Sequence, residues 1–307
     1  MSTPHHVPFL KGHGTENDFV ILPDADADLS LTAADVQRLC DRRVGVGADG
    51  LLRVVRSAAH PEGRAMATEA EWFMDYRNSD GSVAEMCGNG VRVFARYLHR
   101  AGLVTPGDLA VATRAGLRRV HLAEAAPASP GSPAAEPAES PQITVTMGRA
   151  GLPDGGDDGV TVTVGDRDWP ALHVDMGNPH AVVFVDDLAH AGRLLDAPLV
   201  TPAGTYPAGV NVEFVVDRGP RHVALRVHER GSGETRSCGT GACAVMIAAA
   251  RRDGADPATD GVPVTYTVDV PGGRLLITER TDGQIEMTGP AVIVAEGVLD
   301  PAWFAAT

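Results

Sequence analysis

Apolar residues recur along this chain with two periods. Alternation at every second position, broken by Gly, Pro and Asp/Asn turns, dominates. A few segments carry the three-to-four spacing of a helix instead. Phe9–Leu22 predicts a strand, a glycine-rich turn and a second strand, with the turn over Thr15-Glu16-Asn17-Asp18. Thr32 opens a helix: Thr-Ala-Ala-Asp puts an acid at the third helical position, and Val36, Leu39 and Cys40 follow at helical spacing. Gly45, Gly47 and Gly50 form a loop before a strand at Leu51–Val55. Glu71–Met74 predicts another short strand, which runs into a polar turn over Arg77–Ser82. Val91, Phe94, Ala95 and Leu98 then share one helical face, and Gly102 is placed to end that helix.

Two strands follow, Leu109–Thr113 and Leu117–Leu122. Glu124–Pro141 is low-complexity Ala/Pro/Ser/Glu, a composition with too little apolar area to fold, and it reads as a solvated, mobile loop. It marks the domain boundary, with one domain over 1–141 and a second over 142–290. The second half predicts strands at Ile143–Met147, Val160–Val164, Ala171–Asp175, Ala181–Val185, Gly209–Phe214 and Val223–His228. It adds a short helix around Leu188–Leu195, a helix from the Cys238 loop to about Arg251, and hairpin-like strands from Val264 to Leu299.

The two halves share a plan. Each runs through several strands into Cys-Gly-x-Gly and then an amphipathic helix: CGNGVRVFARYL from Cys87, CGTGACAVMIAA from Cys238. Each cysteine stands where a loop becomes a helix. There the free backbone N–H groups and the positive end of the helix dipole favour a thiolate. Two such helix starts can hold one carboxylate between their N–H groups and bring a thiol to each side of the neighbouring carbon. That arrangement suits removal of a proton from one face and its return from the other, inverting a stereocentre without redox change. The Cys40 and Cys243 thiols fall on helix faces among apolar neighbours and read as core filler.

Composition narrows the choice. The formal charge of −14 opposes a nucleic-acid partner. No run of 18 apolar residues suggests a membrane span, and the N-terminus lacks a signal-peptide pattern, so a cytoplasmic address is expected. Four cysteines without C-x-x-C make neither a disulfide framework nor a metal site. Lys11 is the only lysine, which leaves a pyridoxal-phosphate Schiff base a single candidate, and no cofactor is expected. Removal of a weakly acidic α-proton would then rest on exclusion of water, aligned N–H donors and close positioning.

The segments KGHGTENDF, EMCGNGVRVFARY, MGNPHAV, GVNVEF and ERGSGETRSCGTGACA together resemble the diaminopimelate epimerases, from about Phe9 to Leu299. The resemblance implies an α/β (α+β) fold of two pseudo-symmetric domains. Each is a rolled, mainly antiparallel sheet around a central helix, with the active site in the interdomain cleft and the closing segment 291–307 returning to the first domain. It implies a homodimeric, cofactor-independent epimerase that interconverts LL- and meso-2,6-diaminoheptanedioate (diaminopimelate) for lysine and peptidoglycan. Cys87 would be the proton donor and Cys238 the acceptor in the LL-to-meso direction. Gly88, Asn89, Gly239 and Thr240 would bind the reacting carboxylate. Asn17, Asn78, Asn178, Asn211, Glu229 and Arg230 would hold the rest of the substrate, with Arg230 on the distal carboxylate and Glu229 on an ammonium. His180 and Glu229 would also tune the thiols. One departure is plain: many relatives carry Asp-Gln where this chain has Asp49-Gly50, so a side-chain contact is not carried to Gly50.

Three other readings compete. A proline- or hydroxyproline-type racemase would share the two thiols but not need the Glu229–Arg230 pair. A nucleotide-binding module would need Gly-Lys-Ser/Thr or a strand-linked G-x-G-x-x-G, and neither is present. A thiol-redox protein would use a Cys87–Cys238 disulfide as part of its cycle, whereas for an epimerase that disulfide would be an inactive form restored by reductant.

Overall fold

The structure is a computed structural model that describes residues 6–124, 142–153 and 159–304. The low-complexity stretch, apart from Glu124, lies outside the described residues. The chain divides into two compact units. One comprises Met1–Val145 with Gly289–Thr307, the other Thr146–Thr288.

The first unit is a sheet in the order Val292–Leu299, Val7–Gly14, Asn17–Pro23, Gly50–Arg56, Trp72–Asn78, Gly107–Thr113, Gly116–Leu122, followed by Ile143–Gly148. From Val7–Gly14 onward the pairings run antiparallel, parallel, antiparallel, parallel, antiparallel, antiparallel. The second unit orders its strands Leu172–Asp175, Pro179–Phe184, Asn211–Gly219, His222–Glu229, Val264–Val270, Gly273–Glu279 and Ile285–Gly289. Its pairings repeat the same six terms in the same order. The internal sequence repeat is therefore a repeat of topology.

Helix α1 (Ala33–Cys40) begins at Thr32, whose side chain accepts from the Asp35 N–H while the Asp35 carboxylate accepts from the Thr32 N–H. Its Val36, Leu39 and Cys40 join Val7, Val20, Leu22 and Leu51 in one core cluster. Helix α2 (Gly88–Arg100) packs on strands from both ends of its sheet, including Val292–Leu299 and Gly116–Leu122. That is possible only if the sheet curls around it. Helix α3 (Gly239–Arg252) is wrapped in the same way by strands from Leu172–Asp175 to Gly273–Glu279. Every residue of α3 from Gly241 to Ala250 is buried, as expected of a helix that is apolar on all sides.

This topology decides where chemistry can sit. In each repeat the second and third strands are parallel and the fourth is antiparallel to the third. The second and third strands therefore start, and the fourth ends, at one edge of the sheet. The crossover helix that links the fourth strand to its parallel neighbour also starts there. Asn17, Asp49, Asn78 and Cys87 fall at that edge in the first unit, and Asn178, Asn211, Glu229 and Cys238 in the second.

Some local expectations need correction. The first turn is tighter than TEND: only Thr15 and Glu16 lie between the strands, both with positive φ (49° and 62°), and Asn17 and Asp18 are already paired. The helix expected around Leu188–Leu195 is only a 3-10 turn, Leu188–Ala191. Gly192 turns at φ 65°, and the Arg226 guanidinium takes the Leu188 and Gly192 carbonyls at 3.0 and 2.9 Å, so the segment does not continue as a helix. Arg167–Pro170 and Leu199–Thr201, too short to read as strands, form a separate three-stranded sheet with Thr161–Val164.

The first unit also buries charge. Asp75 is fully buried in Trp72–Asn78. It accepts from Arg114 at 2.7 Å and from Arg77 at 3.4 Å, with Arg53 at 3.7 Å. Burial pushes its carboxyl up, but the Arg114 hydrogen bond and the neighbouring guanidinium charges outweigh that and hold it below the usual range. Asp75→Asn would leave buried guanidinium groups without their anion and should cost about 3–5 kcal/mol near neutral pH, read by urea unfolding. Because the folded-state value is depressed, this contribution is complete above the ordinary value of 3.8 and is lost as pH falls through the lower one. The gap between wild type and variant should therefore close in acid.

Candidate active site

In each unit the cysteine is the N-cap of the central helix. Cys87 has extended backbone (φ −141°, ψ 119°), and its sulfur accepts from the Gly90 N–H at 3.5 Å. Cys238 is alike (φ −105°, ψ 114°), with its sulfur accepting from the Gly241 N–H at 3.4 Å. Cysteine thus takes the place usually held by Ser or Asp. Glycine at the third helical position lets backbone and sulfur approach. A Cβ at Gly241 would stand 2.8 Å from Glu213 Oε1 and 3.3 Å from Cys238 Sγ, and one at Gly90 would stand 3.5 Å from Cys87 Cβ. The residues ahead of these glycines, Gly88-Asn89 and Gly239-Thr240, occupy the first turn, where a helix offers no carbonyl acceptor of its own.

Around Cys87 the first unit brings together Asn17, Asn89 and Asp49. Asn17 Oδ1 accepts from the Cys87 thiol at 3.6 Å and from Asn89 Nδ2 at 3.3 Å, while Asn17 Nδ2 donates to Asp49 Oδ2 at 2.9 Å. The fully buried Arg92 donates to Asn89 Oδ1 at 2.8 Å and to Thr15 Oγ1 at 3.2 Å. Arg42 donates to Asp18 and Asp49 together, and Lys11 is ion-paired with Asp18 at 2.7 Å. Burial raises the Asp18 carboxyl, but its bonds to Arg42 and Lys11 prevail and set it far below the usual range. The sole lysine is thus tied into this ion pair.

Asn78 ends its strand but bonds elsewhere, accepting from Tyr76 Oη at 2.9 Å and donating to Ser82 Oγ at 3.0 Å. The departure at Gly50 has a steric counterpart. A Cβ there would come within 2.8 Å of both the Arg77 carbonyl and the Tyr76 ring, so no larger residue fits without movement.

Around Cys238 the second unit brings together Asn178, His180, Glu213, Glu229 and Thr240. Fully buried His180 meets fully buried Glu213 at 2.6 Å through Nδ1 and Asn178 Oδ1 at 3.1 Å through Nε2. Asn178 Nδ2 donates to Thr240 Oγ1 at 3.4 Å, and that hydroxyl lies 3.5 Å from the Cys238 sulfur. Glu229 is hydrogen-bonded to the Thr235 hydroxyl and to Cys238. Asn211 and Arg230 bond to each other, Arg230 N–H to Asn211 Oδ1 at 2.9 Å. The exposed Arg230 side chain lines a cavity of about 230 Å³ with Tyr206, Val212 and His228. That cavity does not reach Cys238.

The electrostatics here reverse one expectation. Burial pushes the Cys238 thiol well up, and the carboxylates of Glu229 and Glu213 push it further; the Thr240 and Gly241 hydrogen bonds offset only part. The helix start alone does not make this sulfur a resting thiolate. Glu229 is itself raised, first by burial and then by Glu213, against its bond to Thr235. Cys40 is pushed up to about 11 by burial, in keeping with core filler. All four cysteines are free thiols.

Sequence reasoning passed over Glu213, Asp49 and Arg92. The signal for Glu213 was a carboxylate in the otherwise apolar run Val212–Val216, and for Arg92 a guanidinium on the face of a central helix.

The family model of diaminopimelate epimerase matches residues 9–133 and 172–294. The chain is 69% identical over 303 residues to the diaminopimelate epimerase of Streptomyces coelicolor, covering 99% of this chain and 98% of that one. It is 45% identical over 308 residues to the diaminopimelate epimerase of Mycolicibacterium smegmatis, covering 96% and 98%. Among solved structures it resembles a phenazine biosynthesis protein of the PhzF family from Bacillus anthracis, with TM-score 0.67, 18% identity and 96% and 99% coverage. It also resembles a hydroxyproline epimerase from Agrobacterium vitis, with TM-score 0.63, 15% identity and 97% and 93% coverage. At such identities the structures speak for the fold alone.

Neutralising one carboxylate beside the sulfur should ease loss of its proton. In Glu229→Gln, Cys238 should alkylate faster at neutral pH, its pH profile moving down by about one unit, roughly tenfold in thiolate. Peptide-mapped alkylation rates across pH would show it, and an unmoved profile would remove Glu229 from the account.

Proposed function

The chain belongs to the diaminopimelate epimerase family, and from that premise we propose how its cysteines interconvert LL- and meso-2,6-diaminoheptanedioate on the route to lysine and, through the meso form, peptidoglycan. The carrying observation is the pair of helices, each capped by a cysteine at the same place in an identical order of strands. In the LL-to-meso direction the Cys238 thiolate removes the α-proton and the Cys87 thiol supplies one from the opposite face. The roles exchange in reverse, so atoms and charge balance without an oxidant.

The raised thiol of Cys238 serves this chemistry. An α-proton is very weakly acidic, and a base that is costly to form is strong once formed. Glu229 and His180, the latter through Asn178 and Thr240, set that cost. Gly88, Asn89, Gly239 and Thr240 present backbone N–H groups to the α-carboxylate, where negative charge grows as the proton leaves. Asn17, Asn78, Asn178 and Asn211 orient the reacting end. Arg230 takes the distal carboxylate and Glu229 an ammonium. Every role falls to side chains and backbone already described, so the reading includes no cofactor.

The reading extends to a homodimer in the cytoplasm. It rests on the family resemblance and on the biosynthetic substrate. Among the described residues no helix is long and apolar enough to cross a membrane.

The decisive experiment incubates the purified protein with LL-diaminopimelate in deuterium oxide without added cofactor. Meso product with deuterium at one α-carbon is expected; absence of exchange, or exchange only with pyridoxal phosphate, would sink the reading. Cys87→Ala and Cys238→Ala should each lower kcat by about 100-fold or more, the scale of a lost acid–base group. Cys40→Ala should leave it near wild type.

A further inference from the structure

Both arms of the network around Cys87 end on one side-chain amide, that of Asn17. An amide has two unlike ends: its oxygen only accepts and its nitrogen only donates. A rotation of the group by half a turn would change what Cys87 meets. Two independent chains of hydrogen bonds decide the orientation.

From one side, Arg42 donates to Asp49 Oδ1 at 2.8 Å and the Asp18 N–H to Asp49 Oδ2 at 3.2 Å. Neither donor can accept, so Asp49 is left as an acceptor, and the Asn17 nitrogen is the end that fits against it. From the other side, Arg92 can only donate, and it donates to Asn89 Oδ1. Asn89 must then turn its nitrogen to Asn17, whose oxygen is the end that fits against that. Arg92 also holds Thr15 in the turn just before Asn17, at a φ of 49° that β-branched residues seldom adopt.

We propose that Asp49 is a positioning residue for Cys87: by fixing the Asn17 amide it turns a carbonyl oxygen to the sulfur and keeps the proton there. An acceptor beside a thiol favours S–H, whereas an amide nitrogen in the same place would favour the thiolate. Cys238 is held differently, by a hydrogen bond to Glu229 and by the hydroxyl beside it. Its neighbour Thr240 carries a hydroxyl that can donate or accept, so that sulfur can be served in either protonation state. Asp49 thus helps hold Cys87 as the proton-bearing thiol. This rests on the reading of Cys87 as an acid–base group.

The test follows Cys87 alkylation by iodoacetamide against pH in the full-length chain, resolved by peptide mapping, and needs no turnover. In Asp49→Asn the neutral-pH rate should rise about tenfold, equal to a profile about one pH unit lower. The high-pH plateau should stay unchanged, because access to the sulfur is the same. Asn17→Ala should shift the profile in the same direction, and adding Asp49→Asn to it should have no further effect. An unmoved profile in Asp49→Asn would overturn the inference. So would a plateau that rises with the neutral rate, which marks general loosening, or an Asp49→Asn effect that persists without the Asn17 amide. Retained epimerase activity in Cys87→Ala would instead overturn the reading of Cys87, whatever Asp49 does.

Discussion

A helix enclosed on all sides must still satisfy its first N–H groups, and that demand shapes both halves of this protein. Curling a sheet around α2 or α3 buries the helix body and leaves its start at one sheet edge. At that edge a sulfur caps the third N–H, and the first two belong to residues chosen for small size or polarity. The same backbone groups that would be costly to bury unpaired are those suited to a carboxylate. Structural need and chemical use coincide at one turn.

The two caps then diverge in their surroundings. Cys87 sits half-buried against amides whose orientation is fixed by guanidinium and carboxylate groups behind them. Cys238 is buried beside two carboxylates and a hydroxyl, with a histidine behind them. One topology, used twice, thus carries two unlike acid–base groups. The difference lies in which polar residues the second and third strands deliver to the edge: Asn17 and Asp49 in one case, Asn178 and Glu213 in the other.

Much of this was legible in the sequence, for physical reasons. Period-two alternation and glycine turns located most strands, and the Thr32 capping signal located α1. Cys-Gly-x-Gly before an apolar helical run marked both central helices. The missed elements were those where tertiary contact overrides local preference, as where Arg226 takes the carbonyls after Leu188. The missed site residues act through others. Asp49 stands beside a loop glycine and looks like a turn acid. Glu213 is one carboxylate in a strand read for its apolar rhythm. Nor could the sequence weigh burial against the helix dipole at Cys238, since burial depends on everything that packs around the sulfur.

The pairing of Val7–Gly14 with Val292–Leu299 bears on the order of biosynthesis. The second unit is one continuous stretch, Thr146–Thr288, so all of its strands are synthesised before the final strand of the first unit. The first unit begins synthesis earlier but closes later, and the loop it must close spans almost the whole chain. Until then Val7–Gly14 carries an open edge, with backbone groups available to any other strand nearby. Synthesis thus supplies every strand of the younger half before the older half receives the one that closes it.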